Sequence, residues 1–225
     1  MAAQTDTPPS ERTRVRRLAE LANYEHSTLY AIVDSAYLCH IAFYDEKGSH
    51  CIPTACWRQG NHLYIHGSNG GRLLKLLSGD VQVCVAITHL DGLVLARSAF
   101  NHSMNYRSAV IYGNFERVTS ETDKRGALDA FMDKLALGRR DEVRPGSNKE
   151  FAATTVMRIS LEESAAKVRE GGPIDDEEDM SIPVWAGILP FIRTQSPPIT
   201  DQAVIVEAPL YVRQWSEIRA NFSAD

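Results

Sequence analysis

The sequence predicts a mainly β protein with peripheral helices, an α+β chain whose strands close into a small antiparallel barrel. Two observations lead there. At least six segments alternate apolar and polar residues at the period of two that a half-buried strand requires. Short turns separate these segments, so neighbours in sequence pair locally as hairpins. Three stretches switch instead to helical spacing and belong outside the barrel.

In chain order, residues 1–10 are polar and proline-bearing and are expected to be disordered. Arg12, Arg14, Arg16 and Arg17 form a basic cluster. It reads either as a solvated face or subunit contact, or as a nucleic-acid arm, and the acidic chain favours the former. A helix is expected over residues 26–36. Strands 37–44 and 49–57 flank the turn Asp45-Glu46-Lys47-Gly48, and strand 62–66 follows Arg58-Gln59-Gly60-Asn61.

The stretch from Leu63 to Leu77 is the most informative. Leu63 and Ile65 alternate with Tyr64 and His66, and after Gly67-Ser68-Asn69-Gly70-Gly71-Arg72 the leucines at 73, 74, 76 and 77 follow helical spacing. A strand hands over to a helix start, where N–H groups lack partners and the dipole is positive. Gly70 and Gly71 let a ligand approach the backbone, and Arg72 offers a bidentate donor, so the bend suits a phosphate. An ordinary strand-to-helix turn with a solvated arginine fits the segment equally well. Neither a Walker motif nor a GxGxxG occurs there.

Residues 81–88 and 93–100 read as two strands joined by the turn His89-Leu90-Asp91-Gly92. The next segment has a polar first half, Asn101 to Asn105, and a β-branched, aromatic second half ending at Gly113, with Arg107 and Ser108 at its entrance. Ser120 caps a helix whose stripe Leu128, Phe131, Met132 and Leu135 belongs to the core and which ends at Gly138. A final barrel strand spans 154–161. The run Asp175 to Asp179 is a solvated acidic loop or a partner for the arginine cluster across a subunit boundary. The chain divides into the tail 1–10, one domain over 11–193, and a proline-bearing extension over 194–225.

Composition narrows the function classes. With 225 residues, 25.0 kDa and 44% hydrophobic residues, the chain can bury one full core. Lys+Arg 24 against Asp+Glu 29 gives a net charge of -5, which draws neither nucleic acid nor an anionic membrane. Apolar runs are of strand length and no signal peptide is recognisable, so the expectation is a cytoplasmic protein. Cys39, Cys51, Cys56 and Cys84 lack zinc spacing and are expected to be buried, reduced thiols, with no metal site. No Ser/His/Asp arrangement, paired-carboxylate motif or P-loop is present.

Several segments, in one order, resemble the FMN-binding split-barrel superfamily, whose best-known member is pyridoxamine 5′-phosphate oxidase, and within it the flavin-nucleotide-binding branch. They are Cys39-His40-Ile41-Ala42-Phe43, Ile52-Pro53-Thr54-Ala55, Tyr64 to Ser68 with Gly71-Arg72, Asp91 to Phe100, His102 to Ser108, and Pro183-Val184-Trp185-Ala186-Gly187. The resemblance spans residues 11–191. It implies an antiparallel split β-barrel of the FMN-binding type and a homodimer with the cofactor at the subunit interface. His66, Gly67, Ser68, Gly71 and Arg72 would hold the FMN phosphate, and Pro53, Thr54 and Ala55 would lie along the ring system. Tyr106, Arg107, Ser108 and Trp185 would complete the cofactor site.

The departures bear on substrate. The oxidase's Ser-Arg-Lys triplet reads Gly71-Arg72-Leu73, the lysine near the end of the second strand is replaced by Thr54, Ala55 or Cys56, and the closing Arg-Leu-His-Asp-Arg segment is absent. Oxidation of pyridoxamine 5′-phosphate is therefore not expected. Two classes remain. One is an FMN oxidoreductase that reduces a small, flat, electron-poor acceptor with NAD(P)H-derived electrons, with His66 as its candidate catalytic residue for substrate orientation or proton delivery. The other is a non-catalytic flavin- or haem-binding protein for storage or sensing, with His66 or His102 nearest to a haem-ligating place.

Overall fold

The computed structural model of the protein describes residues 7–216, and within them the strands form two antiparallel sheets. The larger contains β1 (Ala22–Asn23), β2 (Leu38–Asp45), β3 (Gly48–Ala55), β6 (Val83–Leu95), β7 (Ser103–Gly113), β10 (Ser164–Arg169) and β11 (Gly187–Pro190). Its order is β1-β10-β7-β6-β2-β3, with β11 added to β6. The smaller sheet runs β4 (Trp57–Gln59), β5 (His62–Ser68), β9 (Thr154–Ser160), β8 (Glu116–Arg117). The expected split barrel is what forms, with α1 (His26–Asp34), α2 (Arg72–Leu77), α3 (Glu121–Leu135), α4 (Asn148–Ala153) and α5 (Leu210–Arg213) at its margins.

Strand alternation decides what fills the barrel. Cys39, Ile41 and Phe43 on β2, Val83, Val85 and Ile87 on β6, and Ala109 and Ile111 on β7 point inward to meet Leu63, Ile65, Met157 and Ile159 of the smaller sheet. Leu29, Ile32 and Val33 of α1 and Leu74 and Leu77 of α2 close the ends of this core. On the outer side of the smaller sheet, Trp57, Tyr64 and Val156 pack against Ala127, Leu128 and Phe131 of α3. Ser120 caps α3 as expected, its Oγ accepting from the Asp123 N–H at 3.3 Å. Leu135 turns back to solvent, so the stripe leaves the core at its last member.

Residues 83–95 do not form two strands about a turn. They form the single strand β6, paired with β7 along its length and with a bulge between Leu90 and Gly92. The residues around Asp91-Gly92 resemble a turn because both of those residues are needed there for other reasons. The bulge re-aims Asp91, and Gly92 admits β11: a Cβ at Gly92 would lie 2.9 Å from the Leu189 carbonyl oxygen and 3.2 Å from Pro190 Cα. The polar half of the next segment is likewise strand, since β7 begins at Ser103.

The β11 contact supports a test. Backbone cannot yield as a side chain can, so Gly92→Ala is expected to cost about 1–3 kcal/mol and lower the thermal midpoint by about 2–12 °C. Gly126→Ala in α3, where a Cβ meets nothing within 4 Å, is the control and should be neutral or stabilising. Equal midpoints for Gly92→Ala and the parent would show that β11 is not seated on β6 in solution.

Other expectations need correction. Helix α4, started by a Ser147/Glu150 capping box, and strands β10 and β11 were not anticipated. Cys39 and Cys56 are buried thiols, but Cys51 is exposed and Cys84 half-buried because their strand positions face outward. The tail expected at 1–10 lies outside the described residues up to position 6. Within them, the Ser10 hydroxyl donates to Glu163 and its N–H to Thr13 Oγ1. The arginine cluster is dispersed: Arg14 and Arg16 pair with Glu11, and Arg12 lies over the Tyr112 ring. Asp175 leaves the acidic run to pair with Arg97 of the same chain at 2.9 Å.

Candidate functional site

Strand β5 is held by β9 up to Ser68, which pairs with Thr154, and the chain then turns into α2. The Gly71 N–H donates to the Ser68 carbonyl at 2.8 Å, and Gly70 N–H donates to Ser68 Oγ at 3.3 Å. Asn69, which nothing in the sequence singled out, locks the bend to the end of α4. Its N–H donates to the Ala153 carbonyl at 2.9 Å, its amide nitrogen to the Ala152 carbonyl at 2.7 Å, and its Oδ1 accepts from Thr155 at 2.7 Å. A Cβ at Gly67 would lie 3.1 Å from Leu74 Cδ2 and one at Gly71 3.0 Å from the Ser68 carbonyl oxygen, whereas one at Gly70 would meet only Ser68 Oγ, at 3.8 Å.

The backbone donors not engaged within the bend therefore lie one step later than the glycines. The N–H groups of Asn69, Gly70 and Gly71 are engaged within the bend, while the first turn of α2 has no side-chain cap. Arg72, Leu73 and Leu74 supply its N–H groups. The Arg72 side chain is 60% exposed and reaches Asp45 Oδ2 at 3.3 Å. Asp45 also accepts from His50 at 2.8 Å, and the His50 contact, the Lys47 N–H and Arg72 together hold its carboxyl below the usual range.

Residues adjacent in sequence separate across the larger sheet. Pro53 pairs with His40 and Ala55 with Leu38 on the outer face, whereas Thr54 pairs with buried Cys39. On β7, Tyr106 lies opposite exposed Leu90 on the outer face, and Ser108 shares that face. Arg107 lies opposite buried His89, where the bulge brings Asp91 to it: Nε and Nη2 donate to the two carboxylate oxygens at 2.9 Å each, which raises the Arg107 pKa. Arg72 and Arg107 are also far apart along the sheet. Ala42 pairs with Cys84 and Arg107 with His89, and Asp45 lies three residues beyond Ala42, so about eight residues separate them, roughly 25 Å. Trp185 is exposed and lies over Gly187, on the β11 side of the sheet.

His66 faces α3. Its ring is 4.6 Å from Phe131 and 5.6 Å from Trp57, centroid to centroid, and its buried Nδ1 has no hydrogen-bond partner. Burial lowers its pKa from 6.5. The unfolded chain thus takes up a proton as pH falls through about 6.5 while the folded chain resists it, so stability is lost on acidification. The thermal midpoint is expected to fall between pH 7.5 and 5.5, and to fall less in His66→Leu. An identical pH slope in the two proteins would exclude His66 as a contributor.

Among the described residues no three His, Cys, Asp or Glu side chains gather as a metal site, and no helix is long and apolar enough to cross a membrane. Two antiparallel sheets in this order, with β5 running through a tight bend into α2, make up a split barrel. Residues 25–168 match the pyridoxamine 5′-phosphate oxidase family, and the chain belongs to it. The flavocytochrome Anf3 of Azotobacter vinelandii is 39% identical, over 91% of this chain and 96% of that one, with a TM-score of 0.86. A FAD- and haem-binding protein of Mycobacterium smegmatis is 33% identical, over 87% and 97%, with a TM-score of 0.82. No curated protein matches the sequence.

Proposed function

We propose that two copies of this chain hold a flavin between them and use it to pass electrons from NAD(P)H to a small, flat, electron-poor acceptor. The uncapped start of α2 with exposed Arg72 carries this reading, because it offers three backbone donors and a guanidinium to one phosphate. Either FMN or FAD brings such a phosphate. When bound, the flavin supplies the redox chemistry, and the protein binds and orients it. Pro53 and Ala55 on the outer face of edge strand β3 would flank the ring system. Tyr106 and Ser108 share that face three strands away, about 14 Å across the sheet, and would reach a shared cofactor from the second subunit. On this reading His66, enclosed by Trp57 and Phe131, packs against α3.

The surface area supports a dimer. A compact monomer of 25.0 kDa exposes about 10,200 Å², whereas this chain exposes 14905 Å². Granting the fifteen residues outside the described range a full extended-chain area of about 2,400 Å² still leaves roughly 2,300 Å² in surplus. That suits one side of a large interface. The outer face of the larger sheet is apolar at Leu38, Ala42, Cys84, Ala86, Leu90 and Val110, and a second copy would cover it.

A second reading adds haem, as in the two relatives' descriptions. His102 favours it: Nδ1–H donates to the Ser98 carbonyl at 2.8 Å, which leaves Nε2 with a free lone pair on an exposed ring. That tautomer and backbone anchor suit an iron ligand. The absorption spectrum of freshly purified protein, followed by stopped-flow mixing with NADH or NADPH and then a nitroarene, separates the readings. Flavin bands bleached by a nicotinamide and restored by the nitroarene are expected. A Soret band lost in His102→Gln would establish the second reading, and a colourless protein would refute both.

A further inference from the structure

The larger sheet has a notch on one edge of β6. Strand β2, which begins at Leu38, is in register with β6 as far as Thr88, and β11 pairs with residues 92–95, so on that edge residues 89 and 90 lie between the two strand ends, while β7 runs along the other edge with its bulge between Leu90 and Gly92. The notch opens into a cavity of about 810 Å³ between the start of β2 and the end of β11, beneath the C-terminal end of α1. This is the size of a small-molecule site. Exposed backbone N–H and C=O groups of a strand edge are ready to pair with polar substituents.

The walls and charges specify what fits. Tyr37 and Phe191 give the lining two planar rings, and Leu90 adds an apolar side chain. Both carboxylates at the cavity are already matched: Asp34 binds Arg58 at 2.6 and 2.9 Å, and Asp91 binds Arg107. Arg193 has no ion-pair partner among the described residues, so it leaves the cavity with an unmatched positive charge. His89 adds an acceptor: its Nε2 donates to the Ile32 carbonyl at 3.0 Å, which leaves the lone pair on Nδ1.

We infer that this notch binds a flat aromatic anion, with its ring between Tyr37 and Phe191 and its anionic group on Arg193, and that it is the docking place of the electron acceptor. The second part rests on the flavin reading above; the first does not. The phosphate bend belongs to the far end of the sheet, so the notch is a separate site, and Leu90, which faces the side on which the flavin is proposed to lie, is part of its lining.

The test is calorimetric titration of the full-length, flavin-loaded protein with 4-nitrobenzoate, with nitrobenzene as the uncharged probe and flavin absorbance recorded on each sample. Saturable binding of one 4-nitrobenzoate per chain is expected. Arg193→Gln should weaken it at least tenfold while leaving nitrobenzene binding and flavin absorbance unchanged, and Phe191→Ala should weaken both probes. Absence of saturable binding, or an Arg193→Gln titration equal to the parent's, would overturn the site. Protein that lacks flavin bands but binds 4-nitrobenzoate with this pattern would overturn the flavin reading and leave the aromatic-anion site standing.

Discussion

Arg72→Ala is expected to lower flavin affinity at least tenfold. On the proposed arrangement the guanidinium is the cationic side chain at the first position of α2, and Leu73 follows it. Loss of a charge-assisted hydrogen bond costs about 1.5–3 kcal/mol, and 1.4 kcal/mol is already a factor of ten. The fold should not suffer: the side chain is 60% exposed and its single ion pair, at 3.3 Å to Asp45, is of the surface kind that contributes little. Fluorescence titration of the flavin-free protein with FMN and FAD measures the effect. Equal affinity in parent and variant, with unchanged circular dichroism, would remove the phosphate from this bend.

Val110→Asp is expected to split the proposed dimer and release the flavin with it. Val110 lies on the outer face of β7, opposite Ala86 of β6 and Ala165 of β10, at the centre of the uncovered sheet. A carboxylate buried there without a partner costs several kcal/mol, and two-fold symmetry would impose it on both subunits. In the isolated chain the position is only half-buried, so the monomer should remain folded. Sedimentation at micromolar concentration is expected to show a dimer for the parent and a folded monomer with little flavin for the variant. A dimer in both would place the interface elsewhere, and a flavin-loaded monomer would refute the shared site.

The barrel and the bend could be read from the sequence because the signals are local. Alternation in Cys39 to Phe43 and in Leu63 to His66, the Ser120 cap, and the change from period two to helical spacing after Gly71 all act over a few residues, and each appears in the structure where it was expected. Motif order added the family. Non-local partners were not legible. Asp91-Gly92 has the composition of a turn, yet both residues answer to chain elements distant in sequence: Asp91 to Arg107, and Gly92 to Leu189 and Pro190. Of the glycines at 70 and 71 that suggested room for a ligand, Gly71 has its room taken by the Ser68 carbonyl, while a Cβ at Gly70 would meet only Ser68 Oγ, at 3.8 Å.

The sequence by itself determined the fold class, the places of β2, β3, β5, β7 and β9 and the family to which the chain belongs, since periodicity and motif order survive without knowledge of contacts. Only the tertiary structure decided which neighbours share a face. Arg107 and Ser108 are adjacent in sequence, but a strand turns successive side chains to opposite sides, so one meets Asp91 while the other faces outward. Likewise, where β2 stops and β11 begins along β6 depends on pairing between segments distant in sequence, such as Ala42 with Cys84 and Pro190 with Gly92, and that pairing creates the notch.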